Sequence, residues 1–453
     1  MQAIASYTLR TACLRTDRCS IRNMRSLASQ PSLFEESAQE VLSASDSFEA
    51  QLQRFRWEGK STEASETSVD IEGRIVSVQT FVNEFWTSRQ RAAHSLHEVS
   101  YRACFKPQLP RFFIDRLTRA GDTVYDPFMG RGTTVLEAAL SGRAPAGCDI
   151  NPLSKMLIEP RLKPPTVDAV RQRLLEIDWM AADECPEDLL TFYHPETLRE
   201  ICALKACLRQ REQTGPLDQV DAWIRMVAVN RLTGHSPGFF SVYTLPPNQA
   251  VSIAAQQKIN ADRDQVPPRR SVPNLIIAKS RSLLSDYDQT SKQVLATVAA
   301  RTRLVTGAAS VTQEIESSSV SLVVTSPPFL DVVNYAGDNW LRCWFCGIDP
   351  ASVKLTILKK VEDWRDAMTA VFAELNRLLK PGGHIAFEVG EVRGGRVRLE
   401  EHVIPCGIHA GLEPLLVLIN SQEFTKTAAC WGVDNNRKGT NTNRIVLFQK
   451  PQN

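Results

Sequence analysis

No run of apolar residues in this 453-residue chain is long enough to cross a bilayer as a helix, so a membrane-spanning helical protein is excluded as a reading. Net charge is almost absent. The 53 Lys and Arg against 51 Asp and Glu leave +2, too little to draw the whole molecule to nucleic acid, so any phosphate-binding surface must be local. Cysteine lacks a pattern: the 11 thiols are odd in number and irregularly spread, which argues against a disulfide framework and for reduced thiols. Cys343 and Cys346 make a Cys-Trp-Phe-Cys pair, but no second pair or histidine cluster follows at zinc spacing. Core packing on a Trp-rich helix is expected of them, and no metal site. With 43% hydrophobic and 23% charged residues, the chain has the make-up of a globular protein holding about two or three modules.

The most informative short segment is Thr325-Ser326-Pro327-Pro328-Phe329, directly after the apolar run Leu322-Val323-Val324. A buried strand ending in two prolines puts a rigid loop at the carboxyl edge of a sheet, with carbonyls that lack a ladder partner and an aromatic face beside them. Such a loop suits a flat ring bearing an amino group. Backbone carbonyls and the Ser326 hydroxyl can accept from an exocyclic amine while Phe329 stacks on the ring.

A second element reads as strand, glycine turn and helix start: Thr123 to Phe128, then Met129-Gly130-Arg131-Gly132-Thr133-Thr134, then a helical pattern stopped by Gly142. Gly130 and Gly132 let the backbone approach a ligand where a Cβ would collide, and the helix start offers unpaired N–H groups. The next short strand ends at Asp149, at a spacing from the glycines that suits bonding to ribose hydroxyls.

Asp126 to Thr134 resembles the cofactor-binding motif of amino-group DNA methyltransferases that use S-adenosylmethionine. Thr325 to Phe329 resembles their catalytic motif, in the Ser-Pro-Pro form associated with cytosine-N4 enzymes. Ser100 to Pro110 is similar to the family segment that packs on the methionine end of the cofactor. Leu378 to Val389 and Arg437 to Phe448 are similar to its fifth and closing strands. The resemblance implies an α/β fold, a Rossmann-like class I methyltransferase sheet with a largely helical insertion between the second and third strands. It implies Tyr101, Asp126, Phe128, Gly130, Gly132, Thr133, Thr134, Asp149 and Asn151 around S-adenosylmethionine, and Ser326, Pro327, Pro328 and Phe329 as the catalytic loop. It also implies double-stranded DNA as substrate and a restriction endonuclease as a candidate partner. Two positions depart from the family pattern. Ala308 stands where an aspartate usually bonds the adenine amine, and Ser321 where an acid often precedes the strand.

Four segments are expected: a mobile lead-in at 1–68 with one helix around Phe48–Phe55, a cofactor half at 69–160 opening with helices, a helical insertion at 161–295, and a catalytic half at 296–453. In the insertion, the aromatic run from Gly234 to Pro247 and the basic run Val266-Pro267-Pro268-Arg269-Arg270 suggest target recognition. Arg269 and Arg270, on a loop stiffened by prolines, are expected to stand away from the body and meet DNA phosphates, with aromatics supporting an unstacked base. Lys258, Arg263, Lys279 and Arg281 could extend the track. The first 25 residues, with Arg10, Arg15, Arg18, Arg22 and Arg25, have the composition of a mitochondrial transit peptide. The preferred reading is an upstream in-frame start before Met24, in a bacterial protein of the cytoplasm and nucleoid.

The expected reaction moves a methyl group to the N4 amine of a flipped cytosine by direct attack, so no cysteine nucleophile is required. The alternatives are an adenine-N6 DNA methyltransferase, an RNA or tRNA base methyltransferase, and a catalytically idle DNA-binding protein of the same fold.

Overall fold

The computed structural model describes residues 47–86, 93–101, 104–181, 185–244, 250–328, 335–353, 360–392, 397–421 and 442–452. Its centre is a 9-stranded sheet. In chain order the strands are β1 (Glu63–Ile71), β2 (Arg74–Asn83), β3 (Thr123–Asp126), β4 (Ala144–Asp149), β5 (Arg303–Thr306), β6 (Val320–Thr325), β7 (Leu379–Val389), β8 (Glu413–Ser421) and β9 (Thr442–Gln449). Their order across the sheet is β1-β2-β8-β9-β7-β6-β3-β4-β5. From β5 to β7 neighbouring strands are parallel, and β9 runs antiparallel to both β7 and β8. This is a Rossmann-like α/β sheet, widened at one edge by the β1–β2 hairpin.

Alternation decides the two faces. In β6, Leu322 and Val324 join a core with Phe113 and Leu447, while Val323 joins Phe372 and Phe387 on the other side. The second face is covered by helices α12 (Val361–Leu378) and α13 (Leu399–His409). On the first face lie α1 (Phe48–Arg54) and α2 (Gln108–Leu117), and further along α3 (Thr133–Leu140) and α4 (Pro152–Leu162). Helix α11 (Tyr335–Cys346) follows the Ser-Pro-Pro loop and carries the buried Cys343 and Cys346.

The expected helix near Phe48 is present as α1, but the lead-in and the start of the cofactor half need correction. Residues 63–83 form the hairpin rather than a mobile segment followed by helices. Hydroxyl pairs tie its strands on both faces, Thr67 with Thr80 at 2.8 Å on the buried side and Ser68 with Ser77 at 2.9 Å on the exposed side. The reversal uses Glu72 and Gly73 at φ 54° and 85°, the geometry of a tight hairpin turn. A strand so rich in Ser, Thr and Glu does not show itself by apolar alternation.

The insertion between β4 and β5 contains α5 (Val167–Leu175), α6 (Pro195–Thr214), α7 (Gln219–Val229), α8 (Ile253–Asp262), α9 (Val272–Leu283) and α10 (Gln289–Val298). It is not a separate body: Trp223, Ile224 and Val227 share one core with Val135, Leu136, Leu157 and Ile158 of the cofactor side. No described helix is long and apolar enough to cross a membrane.

Gly407 in α13 lies against β9 so closely that an added Cβ would come 2.2 Å from the Phe448 ring. Gly407→Ala should therefore lower stability by about 1–3 kcal/mol in urea unfolding, the usual overpacking cost. On an open helix the same change would stabilise by ~1 kcal/mol, so a higher urea midpoint would show that the contact is not tight.

Candidate active site

Chain order reverses between β3 and β6, which pair in parallel through Val124↔Leu322 and Tyr125↔Val323. In open α/β sheets, ligands bind in the crevice outside such a reversal. Here the glycine turn leaves β3 and the Ser-Pro-Pro loop leaves β6, so the two sequence motifs flank one crevice.

The glycine turn is held by its own polar groups. The Asp126 carboxylate accepts from the Phe128 amide at 3.1 Å, and Met129 donates to the Cys148 carbonyl at 2.9 Å. Asp149, half-buried at the end of β4, accepts from the Gly130 amide at 2.9 Å and from the Asn151 amide at 2.8 Å. Gly130 has φ 48°, and Tyr101 covers it, with a ring carbon 3.7 Å from where a Cβ would stand. Burial raises the Asp149 pKa, and the two amide donors partly offset this.

Several expected cofactor residues prove to be internal braces. Gly132, at φ 79°, would place a Cβ 2.4 Å from Ile158, so what a side chain would strike is helix α4 and not a ligand, as had been expected. Thr134 is fully buried and donates to the Val324 carbonyl at 3.0 Å, while the Thr133 hydroxyl accepts from Arg131 at 3.2 Å. Asn151 is buried and caps α4 by accepting from Leu153 at 3.0 Å. Asp126 is 2% exposed and bonds Thr325 at 2.6 Å, joining the cofactor turn to the catalytic strand.

At the Ser-Pro-Pro loop, Ser326 is half-buried, and the Pro328 carbonyl accepts from the Trp364 indole at 3.1 Å. Phe329 lies outside the described residues, as do Arg437 and Lys438. At the end of β5, Gly307 donates to the Asp149 carbonyl at 3.0 Å and Ala308 is exposed, so no carboxylate stands there. Ser321 donates to Asp122 at 2.9 Å and accepts from Lys380 at 3.1 Å, at the far end of β6 from the loop.

Sequence reasoning missed Glu388, Asn443 and Trp364. Glu388 is 7% exposed near the end of β7 and accepts from the Asn443 amide of β9 at 2.7 Å. Its signal was an acid placed within the apolar run Ile385-Ala386-Phe387-Glu388-Val389. The chain also contains Pro405-Cys406, but Cys406 is fully buried inside α13 and donates to the Arg365 carbonyl at 3.4 Å, so it is no exposed nucleophile.

The insertion corrects two further expectations. Arg269 does not stand free of the body: it pairs with Glu196 at 2.8 Å and also with Glu200, both on α6. Arg270 is half-buried, its amide held by Thr197 at 2.8 Å. Phe239 and Phe240 are buried, and Tyr243 lies under Arg263 at 3.9 Å, so these rings are not offered to a base.

Two outcomes follow from this geometry. Changing Arg269 and Arg270 together to Ala should leave the salt slope of DNA binding unchanged, whereas two phosphate contacts would lower it by about 2; a measured drop of that size would restore the phosphate reading. Burial pushes the Asp126 pKa up to about 7, against the hydrogen bonds from Thr325 and Phe128. A raised carboxyl pKa contributes stability below the ordinary value of 3.8 that is lost as pH rises through about 7, with a slope of up to ~1.4 kcal/mol per unit. Asp126→Asn should lack that part of the slope, so its urea midpoint should gain on wild type between about pH 5 and pH 8. Parallel midpoints would mean that Asp126 titrates in the ordinary range.

Residues 43–159 match the family model described as DNA methylase, of the N6 and N4 type. The type II methyltransferase M.MjaII of Methanocaldococcus jannaschii is 33% identical over 89 residues, 20% of this chain and 16% of that protein. M.BsoBI of Geobacillus stearothermophilus is 21% identical over 370 residues, 74% of this chain and 65% of that protein. The chain thus spans less than two thirds of the length of either relative. Among solved structures, a TehB-like SAM-dependent methyltransferase from Corynebacterium glutamicum aligns over 77% of this chain and 90% of its own, at 11% identity and a TM-score of 0.28. The stretch that carries the glycine turn is therefore similar to DNA methylases of the N6 and N4 type.

Proposed function

We propose that the protein transfers a methyl group from S-adenosylmethionine to the exocyclic N4 amine of a cytosine in DNA. The observation that carries this reading is the Ser-Pro-Pro loop set across the β3–β6 reversal from a glycine turn braced by Asp149. The residues fit the cofactor. Gly130 leaves the backbone open beside Tyr101. Each Asp149 oxygen holds one amide and keeps a lone pair for a ribose hydroxyl.

When bound, the cofactor supplies an electrophilic methyl on a sulfonium. The chain supplies position. Ser326 and the Pro327 carbonyl accept from the amine and draw its lone pair out of conjugation, aiming it at the methyl group. Trp364 fixes the next carbonyl, Pro328, and so holds the loop against drift. The serine form of the loop favours cytosine over adenine.

Mass spectrometry of nucleosides from DNA of cells expressing the protein, beside an empty control, tests this directly. N4-methylcytosine is the expected product; N6-methyladenine alone, or label in RNA alone, would refute the cytosine assignment. Ser326→Ala should cut turnover far more than cofactor affinity. Asp149→Ala should instead weaken S-adenosylmethionine binding, by ~1.5–3 kcal/mol for each charge-assisted bond lost. Wild-type affinity in a folded Asp149→Ala protein, measured by calorimetry, would place the ribose elsewhere.

A further inference from the structure

Methyl transfer to an amine releases a proton, and the loop itself offers no base to take it. The strand register points to one. Thr325 of β6 pairs with Phe387 of β7, so the next residues, Ser326 and Glu388, stand side by side at the carboxyl edge. Ser326 thus neighbours the Glu388 carboxylate, and its hydroxyl favours the charged form of that group. From the other side the Asn443 amide donates to Glu388 at 2.7 Å, which fixes the carboxylate.

We propose that Glu388 is a positioning residue for the transfer and the final acceptor of the amine proton, acting through Ser326. This rests on the methyl-transfer reading above. With its hydrogen directed to Glu388, the Ser326 oxygen presents lone pairs to the target amine. As the nitrogen–methyl bond forms and the carbon–sulfur bond breaks, the sulfonium becomes a neutral thioether and the amine gains positive charge. The amine then gives one proton to Ser326, whose own proton passes to Glu388. The carboxylate ends neutral, and charge and atoms balance.

The surroundings suit this task. Burial raises the Glu388 pKa, and the donors Ser326 and Asn443 oppose that rise. A raised pKa makes a carboxylate a stronger base. Two ionisable groups on neighbouring strands are already engaged. Asp126, at the end of β3, is bonded to Thr325, and Arg444 of β9 is paired with Glu400 of α13 at 2.5 Å.

The test uses purified full-length wild type, Glu388→Gln and Glu388→Asp, with radiolabelled S-adenosylmethionine and unmethylated bacterial genomic DNA. Glu388→Gln should lose at least about 100-fold in kcat, the usual reach of a proton acceptor, with the cofactor KM within about twofold. Glu388→Asp should recover part of the loss. Wild-type kcat should rise with pH through the Glu388 titration, and that limb should vanish in Glu388→Gln. Retention of kcat within about threefold, or of the acidic limb, would overturn the role while leaving methyl transfer intact. A ligand-free arm is independent of substrate: in carbon-13 NMR of labelled glutamate, Ser326→Ala should raise the Glu388 pKa. An unmoved titration would remove the contact, and the proposal with it. Wild type that shows the Ser326→Ala shift but methylates no DNA would overturn the methyl-transfer reading itself.

Discussion

One buried hydrogen bond joins the two halves of this protein's chemistry. The Thr325 hydroxyl reaches the Asp126 carboxylate at 2.6 Å, with both residues almost wholly out of water. Asp126 begins the glycine turn and Thr325 precedes the Ser-Pro-Pro loop, so the bond sets the distance between the place for a cofactor and the place for a base. A buried carboxylate without partners would be costly, and Asp126 offsets that cost by accepting from both Thr325 and Phe128. Thr134 adds a parallel tie by donating to the Val324 carbonyl at 3.0 Å. Near-attack geometry tolerates little slack, and two short ties across neighbouring strands are a cheap way to remove it.

The turn is braced from outside the sheet as well. Arg161 is 1% exposed, and its guanidinium donates to the carbonyls of Leu157, Leu96 and Arg131. Burial lowers its pKa to about 9, and its bonds are to backbone carbonyls. Arg131 in turn reaches the Val99 carbonyl at 3.0 Å. Together the two arginines lock residues 96–101, the glycine turn and α4 into one piece. That piece shares its core with the insertion, so a ligand-induced shift in the insertion would be felt at Tyr101 and Gly130.

Much of this could be read from sequence, for a physical reason. Glycine turns and double prolines are backbone devices, and backbone devices act where they stand in the chain. Asp126 to Thr134 and Thr325 to Pro328 fall at one edge of the sheet because each motif ends a strand. Side-chain destinations were less legible. Gly132 looks the same in sequence whether it clears a ligand or Ile158. Arg269 looks like a free cation until Glu196 and Glu200, about 70 residues earlier, fold beneath it. Glu388 becomes a candidate only when β6 and β7 pair, which no local pattern states. The β1–β2 hairpin was missed because its hydroxyl ladders satisfy a strand without apolar alternation.

The edge that results is acidic. Asp126, Asp149 and Glu388 stand at the ends of β3, β4 and β7, each with its pKa raised by burial, and the partners named for them are amides and hydroxyls rather than lysines or arginines. A cationic sulfonium gains from such surroundings, whereas a polyanion is repelled by them. A crevice of this kind suits the positively charged methyl donor and the neutral, flipped base of the proposed reaction.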